Sequence, residues 1–517
     1  MSSDVLIGVD AGTSVIKAVA FDLNGRQIAS ANRRNSYETL PDGGVVQDMR
    51  RTWNDTVAVL REVTDTVGAE RVMALGITAQ GDGTWLIDAD GDPVHDGWLW
   101  LDARSAVEAA DLEASSGIDT IYRHTGAGVN VCQMRTQLLW MNRNTPEILE
   151  RAATALHCKD WLYLGLTGVR ASDPTEGVFT FGDFRSRDYS DDVLEALGLS
   201  HLRHLLPPIL DGSVKAHGLT RSAAAETGLP EGLPVSLGYV DVICTALGAG
   251  LHDAEAMPGF SVLGSTGMHM RFAPDADAVS LNEDRSGYTM ALPGKAFGQM
   301  QTNMAATLNI DWLLDLAAGL LESEGVTRSR ADLLAGLDKR VLAARPGAAL
   351  FHPYISAAGE RGPFANPAAR ASLTGLDQSC GWFDMVRAVY DGLVLAARDC
   401  YTALGDIPAE IRLSGGAARS KTLVRLLASA LNRPVRTVSQ PEAGAAGAVM
   451  IAGIAQGIFA DAADATRRWV HPLLQDPQAP DSDLIGTYDV LFAGYTATRE
   501  AMQPAWIAQA DMRGALR

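Results

Sequence analysis

The sequence predicts an α/β protein built from two related halves. Three observations carry that reading. The chain has 517 residues, too many for one ordinary core and natural for two large domains. Apolar runs of strand length alternate with helical stretches along it. A strand–bend–strand unit at Leu6 to Asp22 returns in weaker form at Phe260 to Phe272, about half a chain later. The boundary is placed near residue 250, giving domains 1–250 and 251–517.

In the first half an apolar run ends at Asp10, and Ala11-Gly12-Thr13-Ser14 makes a bend of small residues. A second apolar run follows, closed by Asn24-Gly25, a strong short hairpin signal. Asp48 to about Val67 carries Trp53, Val57, Leu60 and Val67 at helical spacing, with Asp48 as the cap. Val72 to Thr78 is a buried strand that delivers Ala79-Gln80-Gly81-Asp82-Gly83-Thr84 to its carboxyl end. Trp85 to Asp88 is a further strand, and Trp98 and Trp100 alternate before Asp102-Ala103-Arg104. The stretch from Met134 to Leu166 is mostly helical in pattern. Residues 170–232 are rich in turns, and the Pro234–Val240 strand leads to Asp241 and a helix of small residues.

The second half opens with a strand at Phe260–Leu263, a bend at Gly264-Ser265-Thr266-Gly267 and a strand at Met268–Phe272. Ile411 to Ser414 enters Gly415-Gly416-Ala417-Ala418-Arg419-Ser420, and a helix follows from about Ser420 to Asn432. Val435–Val438 returns as a strand, and Glu442-Ala443-Gly444-Ala445 opens a helix of unusually small residues.

Composition narrows the function. Forty-three basic residues against 62 acidic ones give a formal charge of −19, which argues against a general nucleic-acid or anionic-membrane surface. No signal peptide and no long apolar span is apparent, and the five cysteines are scattered without C-x-x-C pairs. A cytoplasmic protein with reduced thiols is expected. There is no G-x-x-x-x-G-K-[ST] loop, no Rossmann fingerprint, no H-E-x-x-H and no G-x-S-x-G elbow.

What remains is a set of small-residue bends at strand ends, in both halves. Glycine lets backbone amides approach phosphate oxygens closely, and a neighbouring carboxylate suits hydrated magnesium. Each bend alone reads equally as an ordinary turn. Together with Asp10 and Asp241 at strand ends they point to nucleotide chemistry. For Asp241 by itself, a helix N-cap and a proton acceptor are both open.

In their order and spacing these pieces resemble the FGGY family of carbohydrate kinases, within the actin-like ATPase superfamily. The resemblance runs from Gly8-Val9-Asp10-Ala11-Gly12-Thr13-Ser14 through Ile77-Thr78-Ala79-Gln80-Gly81, Trp100-Leu101-Asp102-Ala103-Arg104 and Lys159-Asp160-Trp161-Leu162. It continues through Asp241, Gly264 to Gly267, Phe351-His352-Pro353-Tyr354, Gly359-Glu360-Arg361, Gly415 to Ser420 and the Glu442 helix. It implies two ribonuclease-H-like domains with a central cleft, and ATP-dependent phosphorylation of a sugar or polyol hydroxyl.

By that resemblance Asp241 is the catalytic base and Asp10 helps hold Mg2+. Thr13, Ser14 and Lys17 meet the transferring phosphoryl group. Gly264, Thr266 and Gly267 line a second phosphate loop, and Gly415, Gly416 and Ser420 contact adenosine. ATP and Mg2+ are the implied cofactors, and the partners are ATP and a small-molecule polyol or sugar, without nucleic acid or membrane. Family members are often dimers or tetramers, and the sequence leaves a homo-oligomer open.

The acceptor is expected to meet Gln80, Asp82, Trp100, Asp102, Arg104 and Asp241. Gly81-Asp82 stands where glycerol kinases have Arg-Glu, Cys132 falls near a tyrosine position, and Val242 replaces an amide residue. The run from Thr78 to Leu86, with Trp98 to Arg104 behind it, is most similar to family members that act on erythritol. A terminal hydroxyl of a small acyclic polyol is therefore the expected acceptor. The alternatives are an L-xylulose-type or other pentulose or pentitol kinase and, outside enzymes, an actin-like ATPase module.

Overall fold

A computed structural model describes residues 4–516. Two six-stranded mixed sheets organise the chain. The first runs His217–Gly218, Pro234–Leu237, Val72–Ala79, Val5–Ala11, Val15–Asp22, Gln27–Arg34 from edge to edge. The second runs Tyr288–Ala291, Phe297–Asn303, Gly267–Ala273, Gly259–Leu263, Ile411–Ser414, Val435–Thr437.

The two share one plan. In each, the first strand pairs antiparallel with the strand after its bend, and that strand pairs antiparallel with a third. On its other side the first strand pairs parallel with a later strand, Val72–Ala79 or Ile411–Ser414, and a further parallel strand follows. The repeat legible in the bends thus extends to sheet topology.

Strand alternation explains what covers the first sheet. Val5, Ile7 and Val9 are buried on one face with Leu60 and Val63 of the Met49–Val67 helix, which Asp48 caps by accepting from Arg51 N. Leu6 lies on the other face, in a core it shares with Ile243 and Leu247 of the Asp241–Gly248 helix and Val449 of the Ala443–Ala455 helix.

That second helix comes from the far half of the chain, and its small residues have a reason. A β-carbon built on Gly8 would lie 2.3 Å from Ala445 O, one on Gly76 2.2 Å from Ala448 O, and one on Gly447 1.9 Å from Cys244 O. Backbone packs on backbone here, and only glycine leaves room. The two helices cross between the sheets and join the halves.

Three sequence expectations shift in detail. The Met134–Leu166 stretch is not continuously helical: Met134–Asn144, Pro146–Arg151 and Cys158–Thr167 are separated by a strand, Thr154–Leu156. That strand pairs with Trp85–Ile87, a tertiary partner that helical spacing cannot reveal. The strand before Asp241 ends at Leu237, and Gly238–Val240 form the turn into the helix. Trp98 is buried at a strand end and Trp100 lies past it, half-buried. No helix among the described residues is long and apolar enough to cross a membrane.

Candidate active site

The two bends are built alike. In the first, Gly12 N donates to Val15 O, while Asn35 holds the carbonyls: its N donates to Ser14 O and its Nδ2 to Gly12 O. In the second, Gly264 O accepts from Thr307 N and Thr307 Oγ1, and Ser265 O accepts from Ala306 N. Carbonyls are thus tied to flanking structure in both. Among the described residues the amides of Thr13, Ser14, Ser265 and Thr266 find no protein acceptor. A row of free amides with the carbonyls turned away is what an anion needs.

Thr13 does more than line the bend. Its hydroxyl donates to Gln80 Oε1 (2.8 Å) and accepts from Trp100 Nε1 (2.8 Å), and Gln80 Nε2 donates to Gln47 Oε1 (2.7 Å). Gln80 and Trp100 therefore anchor the first bend to the Val72–Ala79 strand end. Lys17 Nζ lies 2.9 Å from Glu442 Oε2, across the two halves.

Asp10, at the end of its strand, has a carboxylate that accepts no hydrogen bond from a described residue. Burial pushes it up to about 6; Lys17 opposes this and Glu442 adds to it. Gly444 sits so close that its β-carbon would lie 2.4 Å from Asp10 Oδ2. No group of three or more His, Cys, Asp or Glu among the described residues is placed to hold a metal by itself.

Asp241 is the first residue of its helix. Val242 N donates to its Oδ1 (2.7 Å), and its other oxygen has no hydrogen-bond partner among the described residues. Val240 occupies the cap position, so Asp241 does not cap through the later amides. Burial pushes its carboxyl up to about 8, and the charges of Asp10, Glu176 and Asp82 add to this. A carboxylate so placed is a stronger proton acceptor than an exposed one.

Asp82, whose charge also acts on Asp241, stands in the left-handed backbone region at φ 55°. Its amide donates to Glu176 Oε1 (2.7 Å), and Gly83 N donates to Cys132 O (3.0 Å). Cys132 Sγ donates to Asp82 Oδ2 (3.3 Å), while Oδ1 is buried with no partner. Burial raises the Asp82 carboxyl, opposed by Cys132, His157, Arg361 and Arg135. Gly81 is required: a β-carbon there would meet Val240 Cγ2 at 2.5 Å.

Glu176 is the residue the sequence reading missed. It is fully buried, supports the Asp82 bend, and shares its other oxygen with Lys159. Lys159 also meets Asp173 (2.8 Å) and Asp160 (3.2 Å), all fully buried. Burial raises Glu176 to about 7, opposed by His157 and Lys159. Only the Lys159-Asp160 pair was visible as a motif; Glu176 sits in a turn-rich stretch with no spacing to announce it.

Other expected residues are otherwise engaged. Asp102 is fully buried, accepts from Val45 N, and pairs with Arg104 Nη2 at 2.6 Å. The Arg104 guanidinium stacks 3.5 Å from the Trp98 ring centroid and reaches Asp42. This cluster braces the wall that carries Trp100. Ser420 caps the Lys421–Leu431 helix through Leu423 N and donates to Asp338. Gly415, at φ 87°, packs against Leu263 O at the start of the second bend, and Gly416 follows it into a short turn. Gly264 faces open space, Thr266 is exposed, and Gly267 begins the next strand.

These elements carry free amides in two bends, a free carboxylate at Asp10 and desolvated carboxylates at Asp241 and Asp82. Such a set positions a polyphosphate on one side and a hydroxylated acceptor on the other.

Comparison with known proteins agrees. Residues 5–248 match the model of the FGGY family of carbohydrate kinases, N-terminal domain, and residues 259–456 the C-terminal domain of that family. An erythritol kinase of Brucella abortus (strain 2308) is 51% identical over 97% of both chains. A xylulose kinase of Escherichia coli (strain K12) is 31% identical over 82% of this chain and 84% of its own. The crystal structure of xylulose kinase from Rhodospirillum rubrum superposes with a TM-score of 0.86 at 26% identity, over 97% of this chain and 99% of that one. The chain belongs to the FGGY family of carbohydrate kinases.

Proposed function

We propose that this kinase transfers the γ-phosphoryl group of ATP to a terminal hydroxyl of erythritol. The observation that supports the reaction is Asp241, desolvated, with one oxygen held by Val242 N and the other free of partners among the described residues. The likeness to the Brucella abortus erythritol kinase supports the choice of acceptor.

In this reading the acceptor hydroxyl gives its proton to the free oxygen of Asp241 as its own oxygen attacks phosphorus in line. Asp82 Oδ1 accepts a hydrogen bond from a second hydroxyl, and Trp100, fixed by its bond to Thr13, flanks the carbon chain. The Thr13, Ser14, Ser265 and Thr266 amides receive phosphate oxygens, and Lys17 leaves Glu442 to join them. Gly415 and Gly416 bring backbone to the adenosine, with Ser420 fixing that turn as a helix cap. Gln80, Asp102 and Arg104 shape the pocket from behind.

Mg2+ fits the residues present. It is usually held by one or two carboxylates plus phosphates and water, and Asp10 offers one with no competing hydrogen bond. When bound it would neutralise phosphate charge.

A coupled ADP-release assay across erythritol, glycerol, L-xylulose, D-xylulose and ribitol tests the reading. Erythritol is expected to give the highest kcat/KM. No activity with any four- or five-carbon acceptor overturns it, and a pentulose ranked first replaces erythritol with the pentulose-kinase alternative.

A further inference from the structure

Arg361 lies in the second half of the chain, on a loop clamped to the end of the Phe297–Asn303 strand. Glu360 and Asn366 exchange backbone hydrogen bonds (3.0 and 2.9 Å), Asn303 Nδ2 donates to Gly362 O, and Met304 N donates to Glu360 Oε1. A β-carbon on Gly362 would meet Thr302 O at 2.5 Å, so the loop lies directly on the strand. From this base the Arg361 side chain crosses to the first half, where Nη1 comes 3.9 Å from Cys132 Sγ.

Several buried arginines elsewhere are paired with carboxylates. Arg412 meets Asp253 and Gly250 O, Arg387 meets Asp391, and Arg104 meets Asp102. Arg361 has no carboxylate within ion-pair distance among the described residues, and the long thiol contact is its side chain's one hydrogen bond. Its neighbourhood holds further unmet polar atoms: Asp82 Oδ1 and Gln301 Oε1 are buried without partners, the latter 2.8 Å from where a Gly362 β-carbon would lie. An unpaired cation and two orphaned acceptors at one place call for a ligand that both donates and accepts. A polyol hydroxyl does both.

One thiol ties Arg361 to the acceptor side: Cys132 Sγ donates to Asp82 Oδ2 and lies within reach of Arg361 Nη1, so Arg361 and Asp82 converge on the same residue.

We propose that Arg361 is an acceptor-specificity residue, which with Asp82 Oδ1 binds polyol hydroxyls other than the one phosphorylated. The proposal rests on the reading of the protein as a polyol kinase. Because Arg361 and Asp82 come from different halves, the acceptor is gripped only when the halves are together, so acceptor binding favours the closed cleft.

Steady-state kinetics of Arg361→Met, Arg361→Lys, Asp82→Asn and the Asp82→Asn/Arg361→Met double variant test it. Loss of charge-assisted hydrogen bonds raises the erythritol KM of Arg361→Met about 10- to 100-fold. The ATP KM and thermal midpoint stay at parent values, and Arg361→Lys recovers part of the loss. The double variant loses less than the product of the single losses, because both residues serve one ligand. An Arg361→Met enzyme with the parent's erythritol KM, or with ATP and erythritol KM raised alike, overturns the proposal while the parent's own activity keeps the kinase reading. A parent inactive on all acceptors instead removes that reading.

Discussion

Lys17 Nζ lies 2.9 Å from Glu442 Oε2, joining the N-terminal hairpin to the residue that precedes the Ala443–Ala455 helix, more than four hundred residues away. Both groups are partly exposed, so the pair adds little to stability. Its place is more telling than its strength. Glu442 pairs with the lysine that follows the first bend. If Lys17 serves the phosphoryl group, the two partners have opposite roles. Lys17→Met is expected to raise the ATP KM about tenfold, whereas Glu442→Gln leaves it unchanged or lower. Equal increases in both variants mean that the pair is only a tie between halves.

Asp241 is expected to dominate turnover. Asp241→Asn keeps the shape and the bond from Val242 N but removes the proton acceptor. A fall in kcat of about 10²- to 10⁴-fold follows, with the ATP KM close to the parent value. The base works only when deprotonated, and burial holds its carboxyl near 8. For the parent, kcat/KM for the acceptor therefore rises with pH towards that value. A flat profile from pH 6 to 8 contradicts the assignment.

How much was legible in the sequence depended on whether local chemistry or tertiary contact decided. The two bends, the strands on either side and the cap at Asp48 follow from residue order alone. The small residues after Glu442 were visible as an oddity. Their cause, close packing of Gly447 on Cys244 O and of Ala445 on Gly8, needed the fold. Asp102 and Arg104 read either as acceptor contacts or as Asp102 orienting Arg104, and the structure pairs them with one another beneath Trp98. Glu176 and Arg361 escaped selection because each acquires its meaning from a residue distant in sequence, Asp82 for Glu176 and Cys132 for Arg361.

The Lys159 cluster gives a stability prediction. Lys159, Asp160, Asp173 and Glu176 are fully buried, and the one ammonium serves three carboxylates. Lys159→Met leaves those carboxylates without their cation, a change that typically costs about 3–5 kcal/mol. The thermal midpoint is expected to fall by several degrees, and surviving enzyme to show a raised acceptor KM because Glu176 holds the Asp82 amide. A midpoint equal to the parent's removes the cluster from the account of stability.

Several carboxyls carry folded-state values above their unfolded ones: Asp10 near 6, Glu176 near 7, Asp241 and Glu360 near 8. For such groups the folded protein holds protons that the unfolded chain has already released. The sign follows from linkage: between about pH 4 and pH 8 the native state binds more protons, so each rise in pH favours unfolding. The ligand-free protein is expected to melt at a lower temperature at pH 8 than at pH 6. Asp241→Asn removes one of these groups, and with it the mutual repulsion of Asp10, Asp82 and Glu176 with residue 241. Its midpoint should exceed the parent's at pH 8 and approach it at pH 5, measured by calorimetry without nucleotide. Parallel curves for the two proteins would show that the Asp241 carboxyl titrates as an ordinary exposed one, and the case for it as a tuned base would lose its physical ground.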